Sequence, residues 1–300
     1  MDENFAPAGS IDKKRLKALC TRSDAKGLFR FASHGAALLV TAGGIYLSQG
    51  SVWIAPALLA HGIVLVFLFA PLHETIHRTA FRRRWLNDSV AWLCGVLLIL
   101  PPAYFRAFHF AHHRHTQDPA KDPELAAPKP ASLGGYLLLV SGLPYWRERV
   151  VTTLLHAAGR VSQPFIPRAQ GAAVVREARM LLAIYGGIAV LSLASESWLA
   201  VVYWLLPVLL GQPFLRMYLL AEHTGCPLVP DMLSNSRTTQ SNAVLRRLAW
   251  NMPYHAEHHA YPALPFHALP KAHELLEAQI SIQPSGYLAV QWEIIAGLRR

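Results

Sequence analysis

Four apolar stretches, grouped in two pairs, constrain the fold of this chain most strongly. They are residues 31–47, 52–72, 180–194 and 198–214. A helix of 21 residues, the length of the second stretch, is roughly 31 Å long, enough to cross the hydrocarbon core of a bilayer. Only a short uncharged or acidic turn separates the two members of each pair. The pattern predicts an all-α integral membrane protein with four transmembrane helices in two hairpins.

Composition and charge agree with this prediction. Hydrophobic residues make up 53% of the chain and charged residues only 15%, below the roughly 25% of soluble proteins. The net charge of +10 comes mostly from basic residues that flank the apolar stretches. Such flanks are typical of the cytoplasmic side of a membrane protein. We therefore expect the positive charge to orient the chain in the membrane and not to bind nucleic acid. The three cysteines show no paired spacing and fit a reducing compartment.

We expect a single domain whose segments alternate between membrane and cytoplasm. Shorter apolar segments at 89–103 and 133–143 are too short to span and predict interfacial or re-entrant helices. An amphipathic helix is expected at 265–280. The segments are a cytoplasmic N-terminus (1–31), a transmembrane hairpin (31–72), a cytoplasmic and interfacial part (73–179), a second hairpin (180–216) and a cytoplasmic C-terminus (217–300).

Three histidine boxes lie outside the apolar stretches, one with the spacing HxxxH and two with the spacing HxxHH. On a helix, positions i, i+3 and i+4 share one face. Eight imidazoles are too many for one ion and about right for two, although imidazole alone does not choose between iron, zinc, copper and nickel. The boxes comprise His73 and His77, then His109, His112 and His113, and finally His255, His258 and His259.

Carboxylates near the boxes are candidates to accept hydrogen bonds from the imidazoles, since ligating histidines usually donate their second N–H. His61 lies in the middle of the second apolar stretch, where a polar residue is a functional candidate, although a neutral histidine is tolerated there without a metal. The candidate carboxylates are Glu74, Asp118, Asp122, Glu124, Glu222 and Glu257.

Two other functions remain open at this point. The letters HETIH at 73–77 match the HExxH motif of zinc proteases, with Glu74 as general base. That site would need one further ligand and would leave both HxxHH boxes unexplained. A metal transporter or sensor would carry ligands near the middle of the membrane, where only His61 and His34 lie.

The order of the three boxes and the residues around them resemble the membrane-bound fatty acid desaturase and hydroxylase superfamily. The resemblance covers residues 50–275. It includes the letters HHRHTQDP at 112–119, DPE at 122–124 and NMPYH at 251–255. These details are more specific than histidine spacing alone.

The resemblance implies four membrane helices, a cytoplasmic cap, two non-haem iron ions and an attack on an unactivated C–H bond that depends on O2 and electrons. A separate electron donor of the ferredoxin, rubredoxin or cytochrome type, with its reductase, is also implied. Leu219 stands where some relatives carry an asparagine. The implied iron ligands are His73, His77, His109, His112, His113, His223, His255, His258 and His259.

The reaction is the least determined part of the prediction. The TQDP letters after the second box favour fatty acyl desaturation, while hydroxylation or ketolation of another apolar or small substrate remains an alternative. We expect His112→Ala and His258→Ala to lose iron and activity, and His273→Ala to lose neither.

Overall fold

The computed structural model describes residues 11–127 and 129–298, and these residues form helices without any β-strand. Residues 1–10 of the expected N-terminal segment lie outside the described part. The helices are α1 Lys13–Leu19, α2 Asp24–Leu47, α3 Ile54–Val66, α4 Phe69–His77, α5 Arg84–Leu98, α6 Pro102–His115, α7 Leu133–Val140, α8 Leu143–Ala157, α9 Gly171–Ala194, α10 Leu206–His223, α11 Met232–Asn235, α12 Ala243–Leu248, α13 His255–Ala260, α14 Leu269–Leu276 and α15 Tyr287–Gly297.

Four helical segments in the described residues are long and apolar enough to cross a membrane. They are Asp24–Leu47, Ile54–His77, Arg168–Ala194 and Val201–His223. Each covers all or most of one apolar stretch, so the structure has four candidate spans at the predicted positions. Leu39, Val40 and Leu47 on α2 are more than 70% exposed, as expected of side chains that face lipid and not water.

The second span packs closely against the fourth at two glycines. A Cβ atom placed on Gly62 would lie 2.2 Å from the carbonyl oxygen of Pro207, and one placed on Gly211 would lie 2.2 Å from that of Gly62. Small residues of this kind let two membrane helices approach at the backbone. The contact brings the ends of α4 and α10, which carry His77 and His223, into one region.

A π-helical turn, Val201–Leu205, precedes α10. Pro207 has no N–H, so the carbonyl of Tyr203 lacks its usual donor four residues later. His61 Nε2 lies 3.1 Å from that carbonyl oxygen and donates to it, while Thr41 Oγ1 lies 2.7 Å from His61 Nδ1. His61 is thus held by ordinary hydrogen bonds within the spans.

The helices α5 and α6 meet at an angle of 98°. Ile99 adopts a left-handed conformation (φ 56°) that ends α5, and Pro102 starts α6 as its first residue. The bend explains why the apolar segment 89–103 is not a straight span. Whether this pair and α7 enter the membrane interface stays a prediction.

The C-terminal segment contains α14, a helix that packs on the rest of the chain. The expected helix at 265–280 is shorter in the structure, because α14 ends at Leu276 and a 3-10 turn, Glu277–Gln279, follows. Leu269, Ala272 and Leu276 are all buried, so this helix packs on the domain itself.

Candidate metal centre

Four helix ends position the histidine boxes. Box one closes α4, box two lies in the last two turns of α6, and box three forms α13. His223 is the last residue of α10. Arg78 has a left-handed conformation (φ 61°) and ends α4 directly after His77. The long helices therefore deliver their histidines at the point where the chain turns away.

The first histidine cluster joins all three boxes. It consists of His73, His77, His109, His113 and His258. One ring nitrogen of each lies within 4.8 Å of the others. The Nε2 atom of His113 lies 2.9 Å from that of His109 and 3.1 Å from that of His258.

The second cluster adjoins the first and consists of His112, His223 and His259. The Nε2 atom of His223 lies 3.1 Å from that of His112 and 2.9 Å from that of His255. His113 and His259 stack with ring centroids 4.1 Å apart and so link the two clusters. The nine histidines named from the sequence therefore converge in one buried region.

Hydrogen bonds in the second cluster fix which nitrogens carry lone pairs. The Nδ1 atom of His112 donates to the Asp122 carboxylate at 2.9 Å, and that of His223 donates to the Asn235 carbonyl at 3.3 Å. The Nε2 atoms of both rings are then acceptors, and they face one another at 3.1 Å. Two lone pairs at this distance repel unless a proton or a metal ion lies between them, and, against the effect of burial, the carboxylates of Glu124 and Asp122 raise the pKa of His112.

The first cluster and the rings around it show the same signature. The ring nitrogens His73 Nδ1, His77 Nε2 and His259 Nε2 are buried and have no hydrogen-bond partner in the part of the chain that the structure describes. Burial, reinforced by the neighbouring imidazoles, holds the pKa of His258 and of His259 well below the usual histidine range. Neutral rings with unused lone pairs are the ligands that a divalent metal ion takes.

The spacing of the nitrogens also fits metal ions. Nitrogens bound at 2.0–2.1 Å to one ion cannot be more than about 4 Å apart, close to the separations observed here. Two adjacent clusters are more than a single ion requires. The residues present therefore fit two ions, and the donor set of imidazoles is compatible with iron.

Asp122 is the predicted carboxylate that most clearly supports a histidine. Besides His112, it accepts hydrogen bonds from the backbone N–H groups of Gln117 (2.8 Å) and Glu124 (2.9 Å). A carboxylate of Glu124 lies 3.8 Å from His112 Nδ1, and one of Glu222 lies 3.4 Å from His255 Nδ1. Asp122 therefore orients the His112 ring by a hydrogen bond, whereas Glu124 and Glu222 only place negative charge near the imidazoles.

The other three predicted carboxylates, Glu74, Asp118 and Glu257, have different hydrogen-bond partners. Glu74 accepts from Thr79 Oγ1 (2.8 Å) and from the backbone N–H of Phe266 (3.3 Å), and so ties box one to the chain after box three. Asp118 accepts from the backbone N–H of Ala120 (2.9 Å) and caps a turn. Neither carboxylate has a hydrogen bond to a box histidine among the described residues.

The contact between Glu257 and His273 changes what we expect of the substitution His273→Ala. The buried Glu257 carboxylate lies 2.5 Å from His273 Nδ1 and also accepts a hydrogen bond from Thr238. His273 therefore braces the helix that carries box three, and replacing it should not be neutral. The sequence offered no spacing signal for this contact.

Several residues that touch the clusters were not singled out as site residues. Thr116 donates to the His112 carbonyl at 2.8 Å, and its oxygen lies 3.1 Å from His259 Nδ1. Gln117 Nε2 donates to the His223 carbonyl at 2.7 Å. Both belong to the TQDP letters after box two, so a signal existed. Asn235, by contrast, lies far along the chain in a short helix without a recognisable motif.

A cavity of about 1110 Å³ opens beside the clusters. Imidazoles from all three boxes form part of its wall, and the rest is mostly apolar and aromatic. The aromatic residues of the wall include Phe67, Phe69, Tyr104, Phe105 and Phe108. A smaller cavity of about 330 Å³ reaches His113 from a wall that contains Arg106 and Arg114. A large apolar cavity with a few polar groups is the usual form of a small-molecule site.

Membrane-spanning helices with a buried histidine cluster beside an apolar cavity define a class of metal-binding membrane proteins. The model of the fatty acid desaturase family matches residues 47–290, most of the chain, and the chain belongs to this family. It is therefore an enzyme of the oxidoreductase class.

Two characterised relatives are similar to this chain. The sn-1 oleoyl-lipid 12-desaturase of Picosynechococcus sp. (strain ATCC 27264 / PCC 7002 / PR-6) is 25% identical over 244 residues, which cover 73% of this chain and 68% of the relative. The protein of the same name from Synechocystis sp. (strain ATCC 27184 / PCC 6803 / Kazusa) is 24% identical over 238 residues, which cover 72% of this chain and 66% of the relative. Both matches span about two thirds of the relatives' length.

Proposed function

We propose that this protein is an O2-dependent, non-haem diiron oxidoreductase that desaturates a fatty acyl chain. The observation that carries this proposal is the convergence of nine histidines, eight of them in two adjacent clusters, beside a large apolar cavity. Family membership and the two oleoyl-lipid desaturases support the same reaction class. The zinc protease alternative has less support, because Glu74 is held by Thr79 and Phe266.

The chain's own residues would hold one iron in each cluster. His73, His77, His109, His113 and His258 would bind the first ion, and His112, His223, His255 and His259 the second. Bound iron, once reduced, supplies the oxidising power that O2 needs to remove hydrogen from an unactivated carbon. Asp122, Asn235 and Thr116 would hold the imidazoles of the second set with their Nε2 lone pairs inward.

The cavity would bind the acyl chain. Its aromatic wall excludes water from the reacting carbon, and His73, His109 and His112 lie on the same wall. The volume is at the upper end of ordinary ligand sites, which suits a long apolar substrate. The relatives' names describe oleoyl-lipid as their substrate, and we propose an acyl lipid here.

The clusters would lie on the cytoplasmic side of the membrane. The exposed Arg82, Arg83 and Arg84 follow box one directly, and positive residues mark that side. Electrons would come from a separate donor, because the chain carries no recognisable flavin, haem or iron–sulfur motif. An acidic ferredoxin-like, rubredoxin-like or cytochrome-type protein suits a basic surface through electrostatic steering.

Metal analysis combined with turnover tests the proposal. The purified protein should contain about two irons per chain, in line with two histidine clusters. With an electron donor, a reductase, O2 and an oleoyl lipid, it should yield a chain with one more double bond. His112→Ala should lose iron and product, whereas His267→Ala, outside both clusters, should retain both.

Three results would contradict the proposal. One zinc per chain together with peptide cleavage would indicate the protease. Hydroxylated lipid without any desaturated product would indicate a hydroxylase. Full turnover after His112→Ala would show that the assignment of iron ligands is wrong.

A further inference from the structure

Two arginines in the wall of the large cavity, the buried Arg149 and the half-buried Arg216, have guanidinium nitrogens that the fold leaves without partners. Arg149 is 4% exposed, and its Nε atom has no hydrogen-bond partner among the described residues. The Nε atom of Arg216 is also buried without a partner, and Arg216 forms no ion pair with a described carboxylate. A guanidinium largely removed from water is costly without a counter-ion. Among the described residues only Arg149 has a paired carboxylate, so the two arginines together can take up a further anion.

Aromatic rings hold the two guanidinium groups in place. Arg149 lies over Tyr104 at 4.4 Å and over Tyr145 at 5.8 Å from the ring centroids, while Arg216 lies over Tyr145 at 4.3 Å. The Tyr104 hydroxyl also accepts a hydrogen bond of 2.8 Å from Arg149 Nη2. Tyr145 therefore contacts both cations, and its ring fixes them beside one part of the cavity.

The acid nearest to the pair contacts only one of the two guanidinium groups. Glu148 Oε1 lies 2.5 Å from Arg149 Nη2, and the Glu148 side chain is 63% exposed. This ion pair offsets the charge of Arg149 in part and leaves Arg216 without a paired carboxylate among the described residues. Arg149 Nε and the whole guanidinium of Arg216 stay available, and planar guanidinium groups match the oxygens of a carboxylate or a phosphate.

The arginines share their cavity with the histidine clusters. Arg149, Arg216, His73 and His112 all lie on its wall. Arg216 precedes His223 by seven residues on α10, which corresponds to about 10 Å along the helix axis. One bound molecule can thus place an anionic end at the arginines and a carbon of its chain beside the imidazoles.

We infer that Arg149 and Arg216 form a subsite for an oxyanion, carboxylate or phosphate, at the polar end of the acyl substrate. The inference rests on the proposed function and deepens it, because it defines the substrate as an acidic lipid. The subsite would select anionic over neutral lipids and would set the position of the chain relative to the clusters.

Competition binding tests this subsite without any turnover. The iron-loaded protein in a neutral detergent is given radiolabelled oleate, and unlabelled oleate, 1-oleoyl-glycerol 3-phosphate and methyl oleate are compared as competitors. Oleate or the phosphate should displace the label at a concentration at least about tenfold lower than methyl oleate, since charge-assisted hydrogen bonds are involved. The better of the two anions identifies the head group.

Variants separate the arginines from the metal ions, because a carboxylate could also bind iron directly. Arg216→Gln and Arg149→Gln should each lower the preference for anions about tenfold. Arg216→Lys should keep part of this preference. Arg147→Gln is the matched control, since Arg147 is exposed on the same helix as Arg149. Its preference should equal that of the wild type.

Two outcomes would overturn the inference. Displacement by methyl oleate at the same concentration as by both oleate and 1-oleoyl-glycerol 3-phosphate in the wild-type protein would show that no anion subsite exists, and this comparison needs no variant to fold. An anion preference that persists in Arg216→Gln would assign it to the metal ions. If the preference depends on Arg216 but no desaturated product forms, the subsite stands and the proposed reaction fails.

Discussion

Individual residues in this protein supply hydrogen-bond partners to groups that the helices themselves leave without one. Within the spans, His61 donates to the Tyr203 carbonyl that Pro207 cannot serve. At the clusters, Asp122 and the Asn235 carbonyl each fix the tautomer of one histidine. The same residue type therefore has a structural role in one place and a metal-binding role, as proposed, in another. The difference lies in whether the ring nitrogens of several histidines face one another in a cluster.

His61→Leu should lower stability without affecting metal content. The Tyr203 carbonyl would lose its donor inside the membrane, at a cost of about 1 kcal/mol or more. Thermal unfolding in detergent measures this loss, and metal analysis accompanies it. A loss of iron in this variant would contradict the structural role and would restore His61 as a ligand candidate.

His273→Ala should weaken metal retention at box three. Without His273, Glu257 loses one of its two side-chain donors, and residues that support metal ligands typically affect affinity by about tenfold or more. The measurement is the iron that remains after dialysis against a chelator. His267→Ala serves as the control, and equal retention in both variants would return His273 to the neutral position first expected from the sequence.

At the scale of helices, close contact between α3 and α10 sets where the histidines meet. Gly62 and Gly211 approach through backbone atoms, so no side chain can be added at the crossing without separating the helices. In each of the two spans, the crossing lies between the end that carries a histidine of the clusters and the opposite end. A shift here would move His77 and His223 relative to one another.

Gly211→Ala should therefore destabilise the protein by about 1–3 kcal/mol, the usual cost of overpacking a close contact. Gly187→Ala, on α9, is the matched control, because nothing lies within 4 Å of a Cβ atom placed there. Unfolding in detergent compares the two variants. Equal stability would mean that the helices separate at little cost.

Helix positions followed from the sequence, whereas helix irregularities did not. Apolar runs of membrane length predicted all four spans. The π turn at Val201–Leu205 depends on a partner, His61, that lies 142 residues away from Tyr203. The helix expected at 265–280 ended early, since local amphipathicity does not determine where tertiary packing stops a helix.

The candidate metal centre was likewise predictable from the sequence only in part. Helical spacing placed the histidines of each box on one face, and resemblance to the family added His223. Asp118 and Asp122 were equal candidates in the sequence, yet only Asp122 contacts His112. Contacts from outside the boxes, such as Asn235 to His223, depend on how distant segments pack, so local patterns could not reveal them.

At the scale of the molecule, the buried clusters link metal binding to folding. Clustered imidazoles with unpartnered buried nitrogens form an unfavourable centre in a metal-free protein, and ions that bind only the folded state stabilise it. Helices from both halves of the chain supply the rings. Loss of the metal should therefore affect the whole protein and not one loop.

Removal of iron by a chelator should lower the melting temperature, and ferrous iron should restore it. At 100 times the dissociation constant, a bound ion adds about 2.7 kcal/mol of stability. Calorimetry or thermal unfolding in detergent, under anaerobic conditions, measures the shift. A melting temperature that does not depend on the metal would contradict the proposed clusters.

Both clusters draw on the helix that carries box three, through His258 in one and His259 in the other. These rings follow all four candidate spans in the sequence, whereas His73 belongs to the second. During protein synthesis, neither proposed metal site can be completed before box three has left the ribosome. Ion capture is therefore a late event in the biogenesis of this protein, after its four spans have already been made.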